Sequence, residues 1–257
     1  MKTHLILISG LLFGLLPVLG ADPAPNTLTL RQKADGWRLL WDGRTSEGWR
    51  SAKSDQFPAK GWEMKDGILT VLPSGGGESG GGGDIITRER FKDFELQVDF
   101  RITEGANSGI KYYVQPNLGP IDKVTGKPAK TGSAIGLEFQ ILDDARHPDA
   151  KLGRNGNRTI SSLYDLIPAD ADKKVNPVGE WNTARVVAKD GHVEHWLNGE
   201  KVVDYDRNSA AFRKLVKMSK YKDIPQFGEW QDGHILLQDH GNKVSFRNIM
   251  IRTPKTK

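Results

Sequence analysis

Residues 183–206 read TARVVAKDGHVEHWLNGEKVVDYD, and this stretch decides the fold. Runs rich in β-branched and aromatic residues are separated by the dipeptides Asp190-Gly191 and Asn198-Gly199. Asp-Gly and Asn-Gly tolerate the left-handed backbone of a two-residue hairpin turn, whose twist matches that of the flanking strands. The spacing predicts three antiparallel strands in immediate succession.

The pattern continues in both directions. In DFELQVDFRI (93–102), Phe94, Leu96, Val98, Phe100 and Ile102 share one face, and Glu95, Gln97, Asp99 and Arg101 the other. GILTVL (67–72), GIKYYVQP (109–116) and IGLEFQIL (135–142) read as further strands. GHILLQDHGNKVSFRNIMIR (233–252) reads as a closing pair that turns at Gly241-Asn242. SAAFRKLVKMSKY (209–221) is the one good helical segment, short and suited to docking on the surface. So much antiparallel strand with so little helix predicts an all-β sandwich, a class in which 257 residues can form one domain.

A net charge of +5 is spread along the chain, apart from the tail TPKTK (253–257). With no basic stripe interleaved with aromatics, the charge points to solubility and not to nucleic acid. There is no cysteine, which excludes disulfides, a thiol nucleophile and an acylated N-terminal cysteine. The N-terminus has a short basic start, an apolar run from Leu5 to Leu19 interrupted by Pro17, and small residues at Gly20 and Ala21. That is the pattern of a secretory signal peptide, too short and too broken for a spanning helix. The expected plan is a signal peptide at 1–21, a linker at 22–36, one sandwich domain at 37–252 and a basic tail at 253–257, in an exported bacterial protein, periplasmic or secreted.

The polar faces carry unusual residues. Alternation places Glu138 and Gln140 opposite Leu137, Phe139 and Ile141. HILLQDH (234–240) sets Gln238 and His240 on one side, and HVEHWL (192–197) offers either His195 or Glu194. Asn107 and Ser108 begin another strand. Either these faces are solvated, or they line a cleft equipped with carboxylate, imidazole and amide groups for acid–base work. The glycine-rich PSGGGESGGGGD (73–84) lacks the Gly-Lys-Ser/Thr ending of a phosphate loop and reads as a flexible loop that can border a site. The long connection from Asp143 to Trp181 reads as functional. His192 and His195 lie three apart on a strand and point to opposite faces. Asp143, Asp144, His147 and Asp149 form a better cation cluster, or else a turn bonded by its own side chains. No Gly-x-Ser-x-Gly elbow is present. Seven tryptophans suit sugar stacking or the core.

In order and spacing, LLWDGRTSEGW (39–49), GDIITRERFKDFELQVDFRITEGANSGI (83–110), GLEFQILDD (136–144), SLYDL (162–166), GEWNTARVVAKDGHVEHWLNGEKVVDYD (179–206) and residues 233–252 resemble the 3-keto-disaccharide hydrolase family. The resemblance implies a concanavalin A-like jelly-roll sandwich that cleaves glycosides oxidised to a ketone at carbon 3. Such a ketone acidifies the hydrogen on carbon 2, so a base can form an enediolate that expels the glycosidic oxygen from carbon 1. Water then adds, or does not, for a hydrolase or a lyase outcome. This chemistry needs a base, an acid and donors facing the oxyanion. On that footing Glu138 or His195 is the candidate base and His240 the acid. Asn107, Gln140 and Gln238 are the candidate substrate-binding residues, and a divalent cation is an alternative electrophile. A non-catalytic carbohydrate-binding module is the competing reading, since fold alone does not set function. A laminarinase-type glucanase would need Glu-x-Asp-x-x-Glu on a strand, which is absent.

Overall fold

Left-handed backbone at Asp190, Gly191, Asn198 and Gly199 (φ 51°, 90°, 50° and 86°) turns residues 182–206 through two tight hairpins, as the Asp-Gly and Asn-Gly pairs predict. The structure is a computed structural model that describes residues 24–254. The apolar run behind the signal-peptide expectation lies outside the described residues, as does the end of the basic tail. No helix among the described residues is long and apolar enough to cross a membrane.

Among the described residues thirteen strands follow in chain order: β1 (Arg38–Leu39), β2 (Trp49–Ser51), β3 (Trp62–Lys65), β4 (Ile68–Val71), β5 (Ile85–Thr87), β6 (Phe94–Ile102), β7 (Asn107–Gln115), β8 (Ile135–Leu142), β9 (Asn182–Lys189), β10 (His192–Leu197), β11 (Glu200–Asp206), β12 (His234–Leu237) and β13 (Val244–Arg252). They form two antiparallel sheets. The larger runs β11-β10-β9-β6-β13-β4-β3, with β1 also paired to β13, and the smaller runs β2-β5-β12-β7-β8. β12 and β13 do not pair with each other, contrary to the closing pair read from residues 233–252. Each joins a different sheet, so the chain crosses the sandwich between them.

The inner faces are those predicted by alternation. Leu96, Val98 and Phe100 of β6 pack against Leu137, Phe139 and Ile141 of β8, and the Phe100 and Phe139 rings meet edge to face at 6.4 Å. The segment read as a linker is partly docked. The Asn26 backbone amide donates to Asn248 Oδ1 (2.7 Å), and that of Asn248 donates to Asn26 Oδ1 (2.8 Å). A short helix, α1 (Leu30–Ala34), follows, capped by Thr29. The predicted surface helix is α2 (Ala210–Lys217), capped by Ser209 and anchored by Phe212 and Val216.

Strand β8 would be an exposed edge. The long connection covers it: Ser161 donates its amide to the Gln140 carbonyl (2.8 Å), and Tyr164 its amide to that of Glu138 (3.1 Å). The glycine-rich segment is also tied down. Gly81 and Gly83 amides donate to the Asp239 carboxylate (3.0 and 2.8 Å), and the Ser79 amide donates to the Asp239 carbonyl (2.7 Å). A loop read as flexible is thus clamped by one buried aspartate.

Candidate active site

The outer face of the smaller sheet, away from the core, carries Glu138 and Gln140, the polar residues that alternation placed opposite Phe139. Register sets Lys111 of β7 opposite Glu138 of β8, and Gly109 opposite Gln140. Glu138 lies across Gly109, where a Cβ would stand only 2.1 Å from Glu138 Oε1. The glycine is required by space, since the carboxylate fills the room a side chain would take.

A cavity of about 290 Å³ opens above this face. Asn107, Glu138, Gln140, Gln238 and His240 line it, together with Glu78, His147, Asp149, Tyr164 and Lys220. Five of the six candidate residues therefore meet in one cleft, drawn from β7, β8 and the segment after β12. His195 does not. It is fully buried between the sheets, with Nδ1–H donating to the Ser161 carbonyl (2.9 Å) and Nε2 accepting from the Tyr112 hydroxyl (2.8 Å). A carbonyl can only accept, which places the proton on Nδ1. The candidate strands were assumed to share one face. β10 belongs to the other sheet, and its Val193, His195 and Leu197 point into the core. Glu194 is no substitute, because it faces the opposite way and accepts from Trp196 Nε1 (2.8 Å).

Burial pushes the Glu138 carboxyl above its ordinary range, partly offset by Lys111 and Lys220. Lys111 Nζ stands 3.7 Å from Glu138 Oε2 and donates to Ser133 Oγ (2.5 Å), which donates to Asp84 Oδ2 (2.5 Å). This chain fixes one cation beside the carboxylate. Lys220 is different: the residue is exposed, yet its ammonium sits over the Tyr164 ring at 4.3 Å, and desolvation there lowers its pKa. Tyr164 is held by its hydroxyl donating to Asp149 Oδ2 (2.8 Å), and Asp149 is held by Arg158 (2.9 Å). His147 accepts from the Asp149 amide through Nδ1 (3.2 Å), so its Nε2–H is the free donor. Its ring lies 6.0 Å from that of His240, and burial followed by His240 lowers its pKa.

Two buried polar atoms of cleft residues, Gln140 Oε1 and His240 Nδ1, have no hydrogen-bond partner. Unpaired buried polar atoms are costly, and at a concave surface they mark where a polar ligand binds. Gln140 Nε2 donates to Asn107 Oδ1 (3.3 Å), which orients both amides.

The Asp143 cluster is the turn that its composition allows. Asp143 accepts from the Gly105 amide (2.8 Å), Asp144 accepts from that of Ile160 (2.7 Å), and only His147 and Asp149 reach the cleft. Among the described residues the one trio with converging ligand atoms is His192, Glu194 and Asp204, on the far sheet, where the Lys201 ammonium contacts both carboxylates. The cleft residues are not among such a trio. None of the seven tryptophans lines the cleft; Trp41, Trp49 and Trp62 are core, and Trp181 is stacked by Arg101 and Arg247.

Sequence reasoning missed Glu78, Lys111 and Lys220. Lys111 was legible, since it shares a period of two with Asn107 and Gly109. Glu78 stands alone as a charge among glycines. Lys220 had no local signal.

Residues 36–252 match the family model described as a 3-keto-alpha-glucoside-1,2-lyase-like domain. A 3-keto-disaccharide hydrolase of Bacteroides thetaiotaomicron is 38% identical over 246 residues, covering 88% of this chain and 81% of that protein. A crystal structure from Parabacteroides distasonis, assigned to the glycosyl hydrolases, matches with a TM-score of 0.73 at 30% identity, covering 90% of this chain and 100% of that one. A second from the same organism gives 0.56 at 26%, covering 85% and 99%.

Proposed function

The chain belongs to the 3-keto-alpha-glucoside-1,2-lyase-like family, and from that premise we propose that it cleaves glycosides whose carbon 3 is a ketone. It is a glycoside-cleaving enzyme. Its substrate is an oxidised oligosaccharide or glycoside, and the N-terminal apolar run takes it out of the cytoplasm. The observation that carries the mechanism is the buried Glu138 carboxylate, made more basic by burial and sharing its cleft with the unpaired Gln140 Oε1 and His240 Nδ1.

Glu138 takes the proton from carbon 2. The electron pair of that C–H bond forms a carbon 2–carbon 3 double bond, with the charge on the former ketone oxygen. Collapse of this enediolate restores the ketone and forms the carbon 1–carbon 2 double bond as the bond from carbon 1 to the glycosidic oxygen breaks. His240, in its protonated form, gives that oxygen a proton. Lys220 and the fixed Lys111 supply positive charge where the enediolate oxygen develops. Asn107, Gln140 and Gln238 hold sugar hydroxyls, and the Tyr164 ring offers an apolar wall. Addition of water to the unsaturated sugar then completes hydrolysis, and its omission leaves a lyase product.

Reaction in heavy water tests this. Deuterium should appear at carbon 2 of the released 3-keto sugar, beyond exchange of free product, and the unoxidised glycoside should remain intact. Direct displacement at carbon 1 leaves carbon 2 unlabelled. Cleavage that keeps the original hydrogen on carbon 2 sinks the elimination mechanism, a lyase product carrying no hydrogen there, and no cleavage of either sugar sinks the enzyme reading.

A further inference from the structure

Two carboxylates beside the cleft each divide their oxygens between a cleft residue and one guanidinium. Asp149 accepts from the Tyr164 hydroxyl through Oδ2 (2.8 Å) and from Arg158 Nη1 through Oδ1 (2.9 Å). Asp165 accepts from the Lys220 amide through Oδ2 (2.7 Å) and from Arg158 Nε through Oδ1 (2.8 Å). Tyr164 and Lys220 line the cleft, whereas Arg158 and Asp165 do not. Asp165 is buried and its backbone is left-handed (φ 60°), with its amide donating to the carbonyl of Asn157 (2.8 Å), the residue before Arg158. The Arg158 side chain is itself only 20% exposed.

We infer that Arg158 is a positioning residue for the cleft, acting through Asp149 on Tyr164 and through Asp165 on Lys220. The inference rests on the proposed function, in which Lys220 supplies charge to the enediolate oxygen. Arginine presents separate N–H donors in a rigid planar fork, so one side chain can hold two carboxylates at a fixed spacing. Both bonds join opposite charges that are largely shielded from water, the Asp149 and Asp165 side chains being 14% and 8% exposed. Arg158 and Lys220 also lie over the same Tyr164 ring, at 5.3 and 4.3 Å. The Tyr164 amide donates to the Glu138 carbonyl, so this wall is registered on the strand of the candidate base. Lys220 and Glu78 line both the cleft and a neighbouring cavity of about 170 Å³, which gives a displaced Lys220 space to move into. Without the fork, Asp149 and Asp165 lose the cation that holds them, and Tyr164 and Lys220 lose their fixed anchors.

The test measures kcat/KM on a 3-keto-disaccharide for Arg158→Gln, introduced into the wild type and into Lys220→Met. In the wild type it should lower kcat/KM about 10–100-fold, the loss that follows when a mutation outside the site misplaces a group within it. In Lys220→Met the same substitution should cost less by about threefold or more, because the charge it positions is already gone. An equal cost in both backgrounds overturns the inference, as does a folded Arg158→Gln enzyme within about twofold of the wild type. Should Arg158→Gln fail to fold, Arg158→Lys keeps the charge without the fork and is judged by the same two comparisons. If the wild type does not cleave the 3-keto-disaccharide, the proposed function fails, and amide exchange tests the inference by itself. The Lys220 amide should then exchange faster in the variant while the amides of β6 and β9 keep their rates. An unchanged Lys220 rate, or faster exchange throughout the chain, overturns the inference.

Discussion

Ionising Glu138 works against folding, because burial raises its pKa more than Lys111 and Lys220 lower it. A proton bound more tightly in the folded state stabilises below the ordinary carboxylate range, and that stability is lost as pH rises through the folded value. At neutral pH the bare carboxylate is therefore a cost that the fold retains. Glu138→Gln should lower turnover by about 10²–10⁴-fold, the usual contribution of a general base, and melt no earlier than the wild type at pH 7. The acid limb of wild-type kcat/KM should lie above the ordinary glutamate value of about 4.3 and vanish in the variant. A clear drop in melting temperature would mean that the Lys111 ion pair outweighs burial. Near-normal turnover would return Glu138 to a structural role.

The glycine-rich loop is the element most exposed to a single change. Asp239 holds it with Oδ2, which accepts from Gly81 and Gly83, and uses Oδ1 for Gly241. The loop carries Glu78 to the junction of two cavities. Asp239→Asn keeps one acceptor oxygen and loses the charge, so at least one amide contact weakens by about 1–3 kcal/mol. Released from that clamp, Glu78 no longer defines the junction. Kinetics of the variant should show KM raised several-fold with kcat less affected, and faster amide exchange at residues 76–83. Unchanged KM with unchanged exchange would show that the backbone contacts from Ser74, Gly76 and Ser79 suffice alone.

Across the whole molecule, the two faces of the smaller sheet separate stability from chemistry. His195, Tyr112 and Tyr205 form a buried chain in the core, with Tyr112 joined to both His195 Nε2 and the Tyr205 hydroxyl at 2.8 Å. Burial lowers the His195 pKa from 6.5 to about 4. The folded state keeps this imidazole neutral, so its contribution is full above pH 6.5 and is lost as pH falls towards 4. A shift of that size corresponds to about 3 kcal/mol. Denaturant titrations from pH 7 to pH 4 should show His195→Gln losing less stability than the wild type by about that amount. The shape of the pH–rate profile should not change, because His195 has no access to the cleft. A changed profile would restore His195 to the chemistry.

Strand alternation and hairpin turns were set by the sequence alone, because a period of two and a left-handed Asn-Gly or Asp-Gly turn are local properties. DFELQVDFRI, GLEFQILDD and residues 183–206 accordingly fold with the faces that their patterns assign. Alternation also put Glu138 and Gln140 opposite Phe139, and the same rule applied to residues 107–115 would have marked Lys111, which the reading missed. It could not say which sheet a strand joins, since that depends on pairing between distant segments. His195 and Glu138 each face away from their neighbours in the same way, yet one points into the core and the other into the cleft. Tertiary structure alone decided that difference. It also brought Glu78 from a clamped loop and Lys220 from beyond α2 to the same cavity, where long-range hydrogen bonds and packing hold them.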